Sequence, residues 1–432
     1  MSGAGQFVSR RRAASLLGLG ALAAASGMGG LPLVLIRREV EAYRPGFDRL
    51  HWTRLEYANS DDGTRPLHAL AIWPRGDGPF ELLVVMHGYT ESAAEYFSEG
   101  RFWAERGRFV LLPDLRGRRS ELAYPLDLVA EADPLGFHIP GWTSAVKYFG
   151  RALARDSFVS AGNPDSCGTE LLDISAAIEA ARSRFGRLLR PGADIVGYSG
   201  GGSNALLAAA RTPYLFDRVV ALYPIVDFAA QFEYLARVRR GPLAEMRAWM
   251  GGTPDEMPAR YAARNTLAVV GNLRHSSAWV FADREDPLCP VAIAEKLAAS
   301  VPPGQPFRVM VSKPGDEYRW HHVSPHEHSG VHRFGELVFS RSQRLNQPKP
   351  ARVESWSVAG YLRLPDVEID LGNRQAGVVN VAVTRTDGTR TLEFEPVIVP
   401  PGLRVQVRVW TGTRWIERTG VRPEGRVEIR YR

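Results

Sequence analysis

The chain has 432 residues, of which 45% are hydrophobic and 23% charged, a globular composition that excludes a disordered chain and exceeds the usual size of one domain. Its formal net charge of +7 comes from scattered arginines with no basic, aromatic-interleaved stripe, so nucleic acid is excluded as the expected partner. Two cysteines, Cys167 and Cys289, exclude a disulfide scaffold and leave room for one bond in an oxidising compartment.

At the amino terminus Ser9-Arg10-Arg11-Arg12 precedes a mildly apolar, small-residue segment over 13–26. A charged patch followed by such a segment, with cleavage after Ala25 or Ser26, is the make-up of a bacterial export signal, and the paired arginines resemble the twin-arginine type. The expected location is therefore periplasmic or secreted. Apolar character resumes at Leu31-Pro32-Leu33-Val34-Leu35-Ile36, so residues 1–36 acting as a retained membrane anchor is the alternative; glycines and Pro32 weaken it.

Residues 51–57 and 67–73 alternate in polarity around Ser60-Asp61-Asp62-Gly63, which predicts an antiparallel hairpin. The apolar run 82–86 predicts a strand buried on both faces. His87-Gly88-Tyr89-Thr90 follows it and precedes a helix near 92–97. A glycine turn there aims the backbone N–H of Tyr89 toward a nucleophile on a neighbouring strand. His87, at a strand end without a serine turn beside it, reads as structural. Residues 108–114 form the next strand, leading to Asp114-Leu115-Arg116-Gly117. From 118 to 165 the sequence is loop-like, with Phe137, Trp142, Tyr148, Phe149 and Phe158; a lid that shapes the pocket and a packed peripheral helix pair fit it equally. Residues 168–181 have helical spacing with Thr169 as a cap.

The central motif comes next. Ala193-Asp194-Ile195-Val196 reads as a strand, residues 203–210 as a helix, and between them lies Gly197-Tyr198-Ser199-Gly200-Gly201-Gly202. This is G-x-S-x-G in a strand-turn-helix setting, where a strained turn lifts a serine hydroxyl off the sheet edge. Ser199 is the expected nucleophile, with the N–H groups of Gly200 and Tyr89 as the oxyanion pair; an ordinary glycine-rich loop is the bland alternative. A strand over 216–222 follows, then a helical segment over 228–272 that reads as a second lid element. The strand 277–282 ends in Asp283-Arg284-Glu285-Asp286. A carboxylate at that sheet edge orients an imidazole and stabilises its charged form. Asp286 is the first choice, Asp283 the second, and the remaining acids are loop or cap residues.

After a strand at 306–311, five of the ten histidines fall within 321–332, where the order serine, acid, histidine expects a base. His328, before Ser329-Gly330 and a helix over 334–345, is preferred, with His322 and His326 as alternatives. His326, His328 and His332 lack the cysteine or carboxylate partners of a known zinc set, so neither metal nor other cofactor is expected. Alternating helices and buried strands give the fold class α/β, a doubly wound, mostly parallel sheet with helical insertions.

From Leu82 to Leu345 the chain resembles the catalytic domain of the prolyl-oligopeptidase family of serine peptidases, within the α/β-hydrolase superfamily. The residues that carry the resemblance are Asp114-Leu115-Arg116-Gly117, Gly197-Tyr198-Ser199-Gly200-Gly201-Gly202, Arg211-Thr212-Pro213-Tyr214-Leu215-Phe216, and Asp286 with Cys289-Pro290 three residues on. The family pattern has an aspartate three residues before a small apolar residue and proline, which favours Asp286 over Asp283. The resemblance implies acyl transfer through Ser199 with His328 as base and then acid. Two departures qualify it: the short N-terminal part has no room for the family's β-propeller, and the histidine segment is longer than the family's. Propeller-free relatives include esterases, so serine hydrolase is implied more firmly than peptidase.

Gln347-Pro348-Lys349-Pro350 reads as a linker. Beyond it, residues 351–432 alternate in polarity between turn signals such as Thr386-Asp387-Gly388, which predicts a small all-β, sandwich-like accessory domain. The domain plan is thus 1–36 signal or anchor, 43–346 catalytic with lid insertions at 118–165 and 228–272, and 351–432 accessory. The expected function is an exported serine hydrolase acting on a small-molecule ester or short peptide through a Ser199 acyl-enzyme. The alternative is a non-catalytic scaffold whose β-domain binds cell-envelope polymer.

Overall fold

A computed structural model describes residues 49–58, 66–89, 91–121, 157–160, 168, 170–239, 243–312, 335, 338–340, 342, 349–372 and 377–431. The expected signal or anchor, most of the 118–165 insertion, Cys167 and the whole histidine segment lie outside them. Among the described residues no helix is long and apolar enough to cross a membrane.

Strands β1 (Leu50–Ala58) and β2 (Pro66–Pro74) form the expected hairpin, in register from Leu50↔Pro74 to Ala58↔Pro66. β3 (Glu81–Met86) passes through α1 (Phe97–Glu105) to β4 (Arg108–Pro113). A short antiparallel pair, β5 (Arg119–Glu121) and β6 (Ser157–Val159), brackets the first insertion. Then α2 (Glu170–Phe185) leads to β7 (Ala193–Tyr198), α3 (Gly200–Arg211) and β8 (Phe216–Leu222). The second insertion supplies α4 (Phe228–Val238), α5 (Leu243–Met250) and α6 (Pro258–Ala263), before β9 (Ser277–Asp283), α7 (Val291–Ser300) and β10 (Phe307–Ser312).

The eight sheet strands run β1-β2-β4-β3-β7-β8-β9-β10. β1 and β2 are antiparallel, and every pairing from β4 to β10 is parallel. The continuous apolar runs follow from helices covering both faces: Leu82 to Met86 are all at most 1% exposed. One face packs on Leu171, Ile174 and Ile178 of α2 and Leu206 of α3. The other packs on Phe97 and Trp103 of α1 and Phe228 and Met246 of the second insertion. Register levels the strand ends, with Met86 beside Gly197, Tyr198 beside Leu222, Leu222 beside Phe281, and Asp283 beside Ser312. One sheet edge therefore presents the residues that follow β3, β7, β8 and β9 together.

The opposite edge is clamped by charge. The Arg218 guanidinium donates to both Asp194 oxygens at 2.6 and 2.9 Å and to Glu81 at 3.0 Å, and Arg108 reaches Asp194 at 2.8 Å. These four residues join β3, β4, β7 and β8. Arg218 also donates to the Phe339 carbonyl at 3.0 Å, and both arginines sit against the Phe339 ring, which docks the helical segment at 338–340. Removing one partner from such a buried group leaves an uncompensated charge, at a cost of about 3–5 kcal/mol.

The C-terminal region is the expected small all-β domain. Its strands are β11 (Val353–Ala359), β12 (Tyr361–Arg363), β13 (Val367–Asp370), β14 (Val378–Thr386), β15 (Thr389–Ile398), β16 (Val405–Trp410), β17 (Trp415–Val421) and β18 (Gly425–Arg430). They pair antiparallel in the order β17-β16-β13-β12-β11-β14-β15-β18. Alternation buries Val405, Val407 and Val409 with Trp356, Val381 and Phe394 in one core. The domain is seated on the first: Asn272 donates to the carbonyls of Ala210 at 3.0 Å and Ser357 at 2.7 Å, and accepts from the Ser357 N–H at 3.1 Å. Tyr214 donates to Glu354 at 2.7 Å and stacks on His275, while Ala359, Tyr361 and Val378 join the core of the first domain.

Candidate active site

Ser199 sits between β7 and α3 with φ 54° and ψ −121°, left-handed backbone that a non-glycine residue adopts only under constraint. The constraint is visible. Its N–H donates to the Leu222 carbonyl at 2.9 Å, and its carbonyl accepts from Ser203 at 3.2 Å. Tyr198 and Gly200 on either side are buried, while Ser199 keeps partial exposure, so the hydroxyl is the point at which the turn meets solvent.

The flanking glycines are demanded by close approach. A Cβ on Gly197 would lie 2.1 Å from the Gly201 carbonyl oxygen, and one on Gly201 would lie 2.4 Å from the carbonyl oxygens of both His87 and Met86. The first turn of α3 thus lies directly on the end of β3. A Cβ on Gly200 would meet Tyr89 at 2.7 Å from its Cβ and 2.9 Å from its backbone nitrogen. The two residues expected to donate to an oxyanion are therefore in backbone contact. Gly200 is also the first residue of α3, whose initial N–H groups have no partner within the helix and carry its positive end.

The Tyr89 loop is held from below. Gly88 donates its N–H to Glu91 Oε2 at 2.9 Å and to the Tyr96 hydroxyl at 3.1 Å, and Tyr96 donates to Glu91 Oε2 at 2.5 Å. Behind the nucleophile, Tyr198 donates to Glu99, which also accepts from Trp103 Nε1 at 2.6 Å. Burial, reinforced by the neighbouring glutamates, pushes the Tyr96 and Tyr198 hydroxyls well above the usual phenol range, so both remain neutral donors. His87 is buried, with Nδ1 2.9 Å from the Gly88 carbonyl and Nε2 3.5 Å from the Leu115 N–H. Burial drives its pKa down to about 3, so it is a neutral, structural residue, as its position in the sequence suggests.

Asp283 closes β9 and Asp286 follows three residues later. Asp286 is buried, and its Oδ1 accepts from the N–H of Leu288 at 2.8 Å and of Cys289 at 2.9 Å. Asp283 Oδ1 accepts from Glu285 at 2.7 Å. Glu285 is exposed. Asp286 acts through space on the buried Tyr223, the residue after β8, and on Cys289. Cys289 is a free buried thiol raised well above its ordinary pKa, first by burial and then by Asp286, an environment that suppresses thiolate chemistry. Neither bond pattern assigns the orienting role by itself. His322, His326 and His328 lie outside the described residues. Their segment leaves from Ser312, in register with Asp283, and rejoins at Gly335, where a Cβ would lie 2.4 Å from the Trp103 ring.

Three groups escaped the sequence reading. Glu91, Tyr96 and Glu99 look like ordinary surface-helix residues, and no local signal marks them. Arg116 was noticed only as part of a motif; it pairs bidentately with Asp173 of α2 at 2.8 and 2.7 Å and so ties the exit of β4 to the helix before β7. Trp249 of α5 packs tilted against Tyr89 with centroids 4.7 Å apart, and Arg118 Cζ lies 4.2 Å from the Trp249 centroid. The 228–272 segment therefore covers the oxyanion loop.

Residues 145–337 match the model of the prolyl oligopeptidase family. Among solved structures, an acylaminoacyl peptidase of Pyrococcus horikoshii is similar at 13% identity and TM-score 0.49, over 72% of this chain and 44% of its own. An esterase of Pyrococcus furiosus is similar at 14% identity and TM-score 0.45, over 69% of this chain and 93% of its own. A putative dienelactone hydrolase of Klebsiella pneumoniae is similar at 15% identity and TM-score 0.39, over 68% and 100%. The chain thus spans less than half the length of the peptidase. A search of curated proteins gave no match. The family-model match over residues 145–337 and the sheet order described above make the first domain similar to the α/β-hydrolase domains of the prolyl oligopeptidase family.

Proposed function

We propose that this α/β-hydrolase domain is a serine hydrolase that cleaves an ester or amide bond of a small molecule or short peptide through an acyl-enzyme on Ser199. The observation that carries the reading is the Ser199 backbone at φ 54°, with Gly200 pressed against Tyr89. A serine held out on a strained turn, beside the N–H of the first helix residue and that of the Tyr89 loop, supplies a nucleophile and an oxyanion site in one place.

In this mechanism Ser199 Oγ attacks the carbonyl carbon while its proton passes to the His328 imidazole, and Asp286 stabilises the imidazolium. The developing oxyanion is held by the N–H groups of Gly200 and Tyr89. The imidazolium then protonates the leaving alcohol or amine, which departs. Water, deprotonated by the same imidazole, attacks the acyl carbon and releases the acid, restoring Ser199. Asp286 suits its role because two backbone N–H groups hold its Oδ1 and so fix the orientation of the carboxylate. A fluorophosphonate probe should label the wild type and not Ser199→Ala; equal labelling of both would sink the proposal.

A further inference from the structure

Arg118 is a cation at the oxyanion loop that the proposed chemistry does not use. It is partly exposed, its Cζ lies 4.2 Å from the Trp249 centroid, Trp249 packs against the Tyr89 ring, and Tyr89 touches Gly200. Guanidinium, indole, phenol and nucleophile turn form one continuous row. The Arg118 Nε is buried without an acceptor. Among the described residues its guanidinium makes no hydrogen bond or ion pair, although Glu170 and Asp114 are near enough to act on it through space. Four other buried arginines of the domain differ: Arg108, Arg116, Arg218 and Arg264 each pair with a carboxylate at 2.6–2.9 Å.

A guanidinium nitrogen withdrawn from water without an acceptor is costly, and the planar fork of an arginine matches a carboxylate bidentately. The indole beneath it restrains the side chain without consuming any of those donors. An arginine that serves only packing has no reason to present its donors beside Ser199 with no acceptor among the described residues, where these four each hold a carboxylate.

We propose that Arg118, seated on Trp249, is a specificity residue that binds a carboxylate carried by the substrate, so that the enzyme prefers anionic esters or amides over neutral isosteres. The inference rests on Ser199 being the nucleophile, and the tests separate the two. Fluorophosphonate labelling of wild type and Arg118→Gln reads the nucleophile alone. Paired esters then read specificity: p-nitrophenyl hydrogen glutarate against its glutaramide counterpart places the carboxylate on the acyl side, and 4-carboxyphenyl acetate against 4-carbamoylphenyl acetate places it on the leaving group. In at least one pair the wild type should favour the carboxylate in kcat/KM. That ratio should fall about tenfold or more in Arg118→Gln, the worth of one charged hydrogen-bonded contact, and stand between the two in Arg118→Lys. In Ser199→Ala, where no turnover intervenes, calorimetry should show the favoured carboxylate ester binding more tightly than its amide, a difference lost on adding Arg118→Gln. Ratios that agree within twofold among the three proteins overturn the proposal, as do equal affinities in Ser199→Ala whatever the labelling shows.

Discussion

Replacing Gly200 with alanine tests whether the contact between α3 and the Tyr89 loop is the oxyanion site. The new Cβ would lie 2.7, 2.8 and 2.9 Å from the Cβ, Cα and N of Tyr89, where ordinary contact begins at 3.4 Å. The two backbones must part by about 0.5–0.7 Å, enough to stretch a 2.9 Å hydrogen bond to roughly 3.5 Å, where little of it remains. Loss of one such donor costs about 2.7–4 kcal/mol of transition-state stabilisation, or 10²–10³ in kcat. Stability should respond far less. Alanine gains up to about 1 kcal/mol over glycine in a helix, against an overpacking cost of about 1–3 kcal/mol, so the domain stays folded at 25 °C. The measurement is kcat on an activated acyl ester alongside Tm by calorimetry. A kcat within threefold of wild type would refute the assignment of Gly200 and Tyr89, and a loss of activity explained by unfolding would leave it without support.

Three further outcomes follow from the same geometry. Ser199→Gly should be more stable than Ser199→Ala by about 1 kcal/mol, since glycine accepts φ 54° and alanine does not; both should lose fluorophosphonate labelling, and a lower Tm for the glycine variant would contradict the strain. Asp286→Asn should lower kcat by about 10⁴, and Asp283→Asn by much less; the reverse order would move the acid to Asp283. Burial holds the His87 imidazole near 3 while it titrates near 6.5 in the unfolded chain, so its contribution to stability is complete above pH 6.5 and is lost as pH falls toward 3. The slope approaches about 1.4 kcal/mol per pH unit. Denaturant unfolding from pH 4.5 to 7 should show it in wild type and lose it in His87→Gln, and equal slopes in the two would refute it.

The strands were legible because a strand covered on both faces is apolar along most of its length, as 82–86, 195–196 and 278–282 are. The nucleophile turn was legible for a related reason: Gly197, Gly200 and Gly201 each face a neighbour too close for a side chain, so packing leaves a mark in the sequence. What surrounds the turn was not. Arg116 and Asp173 are 57 residues apart, and Tyr89 meets Trp249 across 160 positions. Such partners are chosen by the register of the sheet, which levels Met86 with Gly197 and Leu222 with Phe281, and no local pattern encodes that alignment. Glu91 and Glu99 share this property, since one is an ordinary loop acid and the other an ordinary helix acid until the fold brings a buried tyrosine to each. The preference for Asp286 rested on its place at the sheet edge and was strengthened by the family pattern; its two N–H bonds agree with that role.

The seat of the β-domain sets the direction in which the enzyme faces. Ser199 precedes the first residue of α3, while Arg211, the last, lies against Tyr361 of the β-domain; twelve residues of helix separate them by roughly 17 Å. Asn272 and Tyr214, which complete the seat, lie before β9 and β8, at the ends of those strands remote from the serine. The accessory domain is therefore a handle fixed to the back of the tool. A grip on that seat therefore lies at the end of α3 opposite Ser199.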